Sequence, residues 1–340
     1  TGSSLSEFAP DLVKLVADLT LNPKFPQGEL ERLKADNLRR LSLAKSNPQQ
    51  MAAEKFREVI YGDHPYGRIF PTEAQMKGYT LAQAKAFYDA HWAASRARLY
   101  VVGRFDAKAV EGAIRVEFSG WKRGALSRPA PAHPKTERAV YIVDKPGAVQ
   151  TTLIVGLPTI DASHVEAVPL SLTNSVLGGY FSSRMTANLR ESKGYTYSPF
   201  SAISNRYRDA TWAQNADVTT AVTGASLKEI FYEIDRLQAE APSESELDSA
   251  KNYTLGTFVL RNSDRSGIIA QLEFIRFHGL PADYLNTYVG KVRAVTPAVV
   301  QQMARKYIDD TRIVIVAVGD QKVIEDQVKP YGPIRPATKP

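Results

Sequence analysis

The sequence contains no cysteine, and its 340 residues include only four methionines, three tryptophans and five histidines. The lack of cysteine excludes disulfides, thiol nucleophiles and cysteine-rich metal sites. No run approaches the roughly 18 apolar residues that a membrane-spanning helix needs, and no signal peptide precedes Thr1, although a trimmed chain would have lost one. We therefore expect a soluble, globular protein without a membrane span.

Basic residues outnumber acidic ones, 43 Lys and Arg against 36 Asp and Glu, which gives a net charge of +7. The basic residues are spread along the chain and form no block interleaved with aromatics, so nucleic-acid binding is not expected. An attraction to acidic peptides or to an acidic partner subunit fits this charge. The length, with 44% hydrophobic residues, suits about two domains.

The most informative stretch runs from Leu177 to Ser198. Gly178 and Gly179 allow a tight backbone turn, and Ser182 or Ser183 can cap a following helix. Three apolar residues recur at every fourth position and predict one buried stripe on that helix: Phe181, Met185 and Leu189.

Gly194 is predicted to end the helix. The chain then alternates Tyr195, Thr196, Tyr197 and Ser198, which predicts a strand whose tyrosines share one face. Arg190 would lie near the end of the helix and Tyr197 near the start of the strand. On residue types alone, Arg190 is solvated and Tyr197 belongs to the core.

The run Leu-Gly-Gly-x-x-Ser-Ser-Arg, then Leu-Arg-Glu-x-x-Gly and Tyr-Ser, resembles the signature of the insulinase/pitrilysin family of zinc metallopeptidases, the inverzincins. In that family an Arg and a Tyr seven residues later, here Arg190 and Tyr197, lie in the half of the molecule opposite the zinc and hold the substrate peptide. The resemblance implies substrate-binding roles for both, with Gly178 and Gly179 shaping the nearby turn.

Hydrophobic periodicity predicts a succession of helices and strands along the chain. The predicted helices are 6–21, 27–46, 49–60, 81–91, 165–177, 227–240, 245–260, 267–277 and 297–308. The predicted strands are 97–105, 139–143, 151–156 and 312–318, with strand patterning also continuing to about residue 218.

The sequence also contains an internal repeat. Leu30 matches Leu247 and Gly103 matches Gly319, at offsets of 217 and 216 residues. A nearly constant offset predicts two copies of one fold. The family resemblance implies an α+β fold with two homologous domains, each a mixed β-sheet with helices packed on it. Residues 1–121 would be the C-terminal part of the first domain, 122–136 a linker and 137–335 the second domain. The first domain is N-terminally incomplete, because 137–217 has no counterpart before Thr1; the missing part was removed or comes from another chain.

Inverzincins bind zinc through H-x-x-E-H on one helix and a downstream Glu. The histidines, at positions 64, 91, 133, 164 and 278, include no pair with this spacing. The family pattern aligns without a gap from Phe25-Pro26 to Asn47-Pro48, which puts the downstream ligand position on Arg40. A guanidinium cannot ligate zinc.

These observations favour the non-catalytic, substrate-binding subunit of a heterodimeric zinc metallopeptidase. The chain would bind no cofactor and be inactive alone, and zinc would lie in a homologous catalytic subunit carrying H-x-x-E-H. The substrates would be unstructured peptides. One alternative is a truncated single-chain zinc metallopeptidase, and another is a structural protein like the core subunits of respiratory complexes. A basic, cysteine-free, degradative protein suits the bacterial periplasm, with the cytoplasm as the alternative.

Overall fold

The computed structural model of the protein describes residues 1–126 and 130–336. It divides into two compact units. The first comprises Thr1–Leu41, Pro71–Pro129 and Asn262–Leu272, and the second comprises Ser42–Phe70, Ala130–Arg261 and Glu273–Pro340. Residues 127–129 of the predicted linker lie outside the described residues.

Helices make up most of the chain before residue 120. They are α1 (Ala9–Leu21), α2 (Gln27–Ser46), α3 (Pro48–Tyr61), α4 (Glu73–Gly78), α5 (Leu81–His91) and α6 (Ala107–Glu117). The bounds of α2 and α5 confirm the predictions from the sequence. At the start of α5, the Thr80 hydroxyl accepts from the Gln83 N–H, and the Gln83 side chain accepts from the Thr80 N–H. This reciprocal capping box explains why the helix begins where the sequence predicts.

The later part of the chain supplies the remaining helices. They are α7 (Ala167–Asn174), α8 (Thr223–Ala239), α9 (Glu244–Arg261), α10 (Arg265–His278), α11 (Tyr284–Arg293), α12 (Pro297–Tyr307) and α13 (Gln321–Val328). Two π-helices follow α7, namely π1 (Ser175–Gly179) and π2 (Thr186–Ser192). Within the described residues, no helix combines the length and the apolar character needed to cross a membrane.

The second unit contains one six-stranded mixed sheet, in the order β3-β4-β2-β5-β1-β6. The strands are β1 (Ala139–Asp144), β2 (Gln150–Thr159), β3 (Phe200–Arg206), β4 (Asp209–Thr219), β5 (Val314–Gly319) and β6 (Ile334–Arg335). Strand β1 pairs parallel with β5 and β6, and the other pairs are antiparallel. A mixed sheet with packed helices confirms the predicted α+β class.

Both faces of this sheet are covered. In β5, Ile315 and Ala317 join the larger core cluster, which includes residues of α7, α8 and α12, whereas Val314, Val316 and Val318 join a smaller cluster with α3. Successive side chains of a strand point to opposite faces, so a strand buried on both faces is apolar throughout. This double burial places β5 at the centre of the second unit.

The strand predicted over 97–105 is not formed, and the described part of residues 1–126 contains no strand. At the repeat offset of 216, the segment ending at Gly103 corresponds to β5. Strand β5 pairs with β1 and β2, whereas no described strand pairs with residues 97–105. A strand needs a partner for its backbone N–H and C=O groups, and this segment has none, which explains the wrong prediction.

Candidate functional site

Arg190 lies in π2, a helix with wider hydrogen bonding than an α-helix. The Lys193 N–H bonds to the carbonyl of Asn188, five residues earlier, at 3.0 Å. Such π segments are rare and are frequently found at functional sites. Gly194 has φ +64°, and the following Tyr195 N–H bonds back to the Leu189 carbonyl at 2.9 Å. Gly194 therefore ends the helix in the left-handed conformation, as predicted.

The guanidinium of Arg190 lies between two aromatic rings. Its Cζ atom is 4.7 Å from the ring centre of Phe181 and 4.5 Å from that of Tyr197. Its Nε lies 3.2 Å from a carboxylate oxygen of Glu191. The two ring faces attract the cation and hold it in place. The neighbouring carboxylate of Glu191 is itself exposed.

Phe181 does not belong to a buried stripe, contrary to the prediction. Met185 and Leu189 are fully buried, whereas Phe181 is 64% exposed. The reason is local. The backbone of Tyr180 is extended, and the Ser183 N–H donates to the Tyr180 carbonyl in a turn. Phe181 therefore precedes the helix and does not follow its periodicity. The predicted cap is also wrong. Within the described residues, neither the Ser182 nor the Ser183 side chain accepts from a backbone N–H of the helix. The Ser183 hydroxyl instead lies 3.2 Å from the Thr186 hydroxyl.

The predicted strand at 195–198 is reduced to one bridge, between Thr196 and Val218. Tyr195 packs against the core, whereas Tyr197 is 77% exposed. The tyrosines therefore do not share a face, and Tyr197 does not belong to the core. Pro199 follows directly and has no N–H to donate, so regular pairing begins only with β3.

Gly178 and Gly179 lie within π1 rather than in a tight turn, and neither has a positive φ. Their role is to let neighbouring segments approach π1 closely. A Cβ on Gly178 would come within 2.5 Å of the Ser201 hydroxyl, and one on Gly179 within 2.7 Å of the Asn174 amide nitrogen. Only glycine lets π1 pack this closely against β3 and against the end of α7.

A buried polar network fixes α7 on the sheet. The Asn174 side-chain oxygen accepts from Ser201 Oγ and from Trp212 Nε1, each at 2.8 Å, and its amide donates to the Ser201 carbonyl at 3.2 Å. Buried polar groups that are satisfied in this way hold a single arrangement. The network positions the turn that carries Phe181, and no periodicity in the sequence signals it.

A second fixed point lies at the start of π2. Arg184 is buried and binds Glu246 of α9 with two hydrogen bonds, from Nε at 2.6 Å and from Nη2 at 3.0 Å. Paired bonds between a guanidinium and a carboxylate are strong and directional. Arg184 ends the Ser-Ser-Arg part of the motif, whereas Glu246 lies 62 positions further along the chain, so no local pattern pairs the two.

No residues suited to zinc come together in the described part of the chain, which holds no group of three or more His, Cys, Asp or Glu side chains that could bind a metal. Arg40 lies exposed on α2. His64 accepts from the Tyr66 N–H, His91 contacts Arg96, and His164 accepts from the Glu166 N–H. The residues present therefore do not fit a zinc ion.

Comparisons with known proteins identify the family. The model of the peptidase M16 inactive domain matches residues 78–254, just over half of the chain. An uncharacterized zinc protease of Mycobacterium leprae is 29% identical over 197 residues, 56% of this chain and 44% of that protein. The chain spans about half of the length of the curated relatives it matches.

Solved structures share the fold. The crystal structure of a peptidase M16 inactive domain from Pseudomonas fluorescens matches with a TM-score of 0.82 and 26% identity, over 93% of this chain and 76% of that one. A chain in complex III2 of Candida albicans matches with a TM-score of 0.79 and 14% identity, over 95% of this chain and 79% of that one. The second similarity concerns the fold alone. Together with the motif around Arg190, the family match establishes that the chain belongs to the peptidase M16 family and contains its inactive-type domain.

Proposed function

We propose that the chain is the non-catalytic, substrate-binding subunit of a zinc peptidase, and that Arg190 and Tyr197 hold the substrate peptide. One observation carries the proposal: the Arg190 guanidinium, whose side chain is 27% exposed, lies against two exposed rings. Within the described residues, Glu191 is its one ion-pair partner, through Nε. The Tyr197 hydroxyl has no hydrogen-bond partner there either.

The chemistry of this pair suits an extended peptide. A guanidinium offers five N–H donors in one plane and no acceptor, so it matches the carbonyl oxygens of a peptide backbone. Because the rings of Phe181 and Tyr197 already orient the group, little side-chain entropy is lost when a peptide binds. The Tyr197 hydroxyl can donate to the same region, where a peptidase reaction develops negative charge on a carbonyl oxygen.

The zinc in this proposal belongs to a homologous partner subunit that carries H-x-x-E-H, and unstructured peptides are the substrates. The family description as an inactive domain and the zinc-protease names of the relatives support this division. A periplasmic location is part of the proposal, with the cytoplasm as the alternative, and cell fractionation tests it.

A second candidate is part of a single-chain zinc metallopeptidase whose zinc motif lies outside this chain. The observation that favours it is that the chain spans 44% and 59% of two zinc-protease relatives. The presence of arginine at position 40 weighs against it. A third possibility is a purely structural role, as in respiratory core subunits. Such a role does not require the Arg190–Tyr197 pair.

The experiment measures zinc content and the hydrolysis of a quenched fluorogenic peptide by this chain, alone and mixed with an inverzincin that carries H-x-x-E-H. We expect no turnover by the chain alone and turnover on mixing, above that of the partner alone. Stoichiometric zinc with activity in isolation would support an ordinary peptidase instead. Mixing without any gain in activity would support the structural role.

A further inference from the structure

A cleft of about 500 Å³ lies in the second unit beside π2. Asn188 and Lys193 line it from the π2 segment, and Lys228, Tyr232 and Arg236 line it from α8. Arg190 is two positions beyond Asn188 and therefore leaves the helix on a different side. The cleft is accordingly separate from the Arg190–Tyr197 pair and is not used by the function proposed above.

Each acidic group at the cleft already has a cationic partner. Lys193 Nζ lies 3.3 Å from Glu229, and Arg236 Nη2 lies 2.9 Å from Glu233. The Asn188 amide also donates to both carboxylates, at 3.0 and 2.8 Å. Both carboxylates are therefore ion-paired, although Glu233 Oε2 is buried and accepts no hydrogen bond within the described residues.

Positive charge and hydrogen-bond donors remain in excess. Lys228 is exposed and forms no ion pair within the described residues. Arg184 also lines the cleft and is 8% exposed; its Nη1 and the Nε of Arg236 are buried without a hydrogen-bond partner in the described structure. A buried donor left without a partner costs free energy. An oxyanion at this position would compensate the charge of Lys228 and accept from the guanidinium groups.

An unpartnered amide oxygen refines the ligand class. The side-chain oxygen of Asn188 is buried and accepts no hydrogen bond in the described residues, so a ligand with an N–H beside its oxyanion would satisfy it. Tyr232 is half-exposed at the cleft and adds an apolar wall. A terminal peptide residue has all three features: a carboxylate, its own amide N–H and a side chain.

We propose that this cleft binds the free α-carboxylate end of a short peptide. The carboxylate lies towards Lys228 and the guanidinium groups, the terminal N–H donates to Asn188, and the terminal side chain packs on Tyr232. The inference rests on the proposed function, since peptide hydrolysis produces fragments with a new free carboxylate. It assigns the chain a second peptide contact that recognises a terminus, whereas Arg190 and Tyr197 contact the peptide backbone.

The test is calorimetric titration of this chain with acetyl-Ala-Leu bearing a free carboxylate, and with the same dipeptide as its C-terminal amide. We expect the acid to bind saturably and the amide to bind at least about tenfold more weakly. A tenfold loss of affinity corresponds to the loss of one charge-assisted hydrogen bond. Lys228→Gln should weaken binding of the acid to a similar extent. The matched control is Lys85→Gln, an exposed helical lysine outside the cleft, and it should bind normally.

Equal affinity for acid and amide, no saturable binding, or an unchanged affinity of Lys228→Gln would overturn the proposal. Inorganic phosphate that binds as tightly as the dipeptide would also overturn it, because a general oxyanion site needs no peptide. Arg190→Ala separates this proposal from the proposed function. It should bind acetyl-Ala-Leu like the unmodified chain even where the reconstituted peptidase loses activity, so the two proposals fail independently.

Discussion

The guanidinium carbon of Arg190 lies 4.5 Å from the ring centre of Tyr197, seven residues further along the chain, and no regular secondary structure joins the two. A π-helix ends between them at Gly194, and one bridge at Thr196 fixes the returning segment to β4. The pair is thus set by helix termination and a single sheet contact, with Tyr197 exposed and Arg190 partly buried.

Replacing Arg190 by alanine should reduce peptide hydrolysis by the reconstituted pair by about 100-fold, the usual loss for one preorganised donor to a developing charge. Arg190→Lys should recover little, because an ammonium lacks the planar fork that the two rings hold. The measurement is kcat/KM with a quenched fluorogenic peptide at saturating partner. Size-exclusion chromatography should show that the variant still associates with the partner.

Arg115→Ala is the control for this prediction, since Arg115 is a helical arginine that is likewise paired with one carboxylate, Glu111, but contacts no aromatic ring within the described residues. It should leave kcat/KM unchanged. Full activity of Arg190→Ala would show that the pair has no role in substrate binding.

Gly178→Ala should destabilise the protein by about 1–3 kcal/mol, the cost of overpacking a filled site. The added methyl group would meet the Ser201 hydroxyl and the Gln214 side-chain oxygen, at 2.5 and 2.8 Å. Urea denaturation followed by circular dichroism measures the effect. Gly256→Ala is the control, because no atom lies within 4 Å of its Cβ position in α9. It should stabilise the protein by up to about 1 kcal/mol through helix propensity, and a similar stabilisation at Gly178 would contradict the close packing.

The sequence predicted the long elements well because they depend on local signals. Helix α2 begins at Gln27 and ends at Ser46, where Asn47-Pro48 stops it. Strand β5 is an uninterrupted apolar run, as a strand covered on both faces must be. The α+β class and the family follow from such elements and from the motif around Arg190.

What the sequence did not predict depends on tertiary contacts. The run near Gly103 has the same apolar pattern as β5 but lacks sheet partners, and Phe181 has the spacing of a buried stripe but precedes its helix. Periodicity cannot report either fact. The helices α4, α6, α11 and α13, of six to eleven residues, were not predicted. The pairing of Arg184 with Glu246 joins residues 62 positions apart.

Breaking that pair should be costly. Arg184→Ala would leave Glu246 without its two hydrogen bonds and would empty a buried site, so we expect a loss of about 3 kcal/mol in the free energy of unfolding, the lower end for buried ion pairs. The exposed pair Arg335–Glu137 is the control. Arg335→Ala should change stability by less than about 1 kcal/mol. Equal effects of the two substitutions in urea denaturation would contradict the structural role of Arg184.

The stability of the second unit should fall as the pH is lowered below about 6.5, the ordinary pKa of histidine. Burial lowers the pKa of His278; Asp161 opposes this lowering in part, and Arg208 adds a smaller lowering. Because the folded protein holds this histidine neutral and the unfolded chain protonates it more readily, protons favour the unfolded state. The contribution is fully present above the unfolded pKa and is lost as the pH falls through the folded pKa.

The measurement is the free energy of unfolding in urea at pH values from 7.5 to about 5. His278→Gln should lose less stability across this range than the unmodified protein, whatever its stability at pH 7.5, because glutamine does not titrate. His133→Gln is the control, since His133 is exposed, and it should keep the pH dependence of the unmodified protein.

The side chain of His278 packs between Phe274 and Phe277, at ring distances of 4.6 and 5.0 Å, and within the described residues its Nδ1 has no hydrogen-bond partner. Burial therefore disfavours its charged form in the folded state, with Asp161 only partly opposing this, and an unchanged pH dependence in His278→Gln would mean that another group carries the loss.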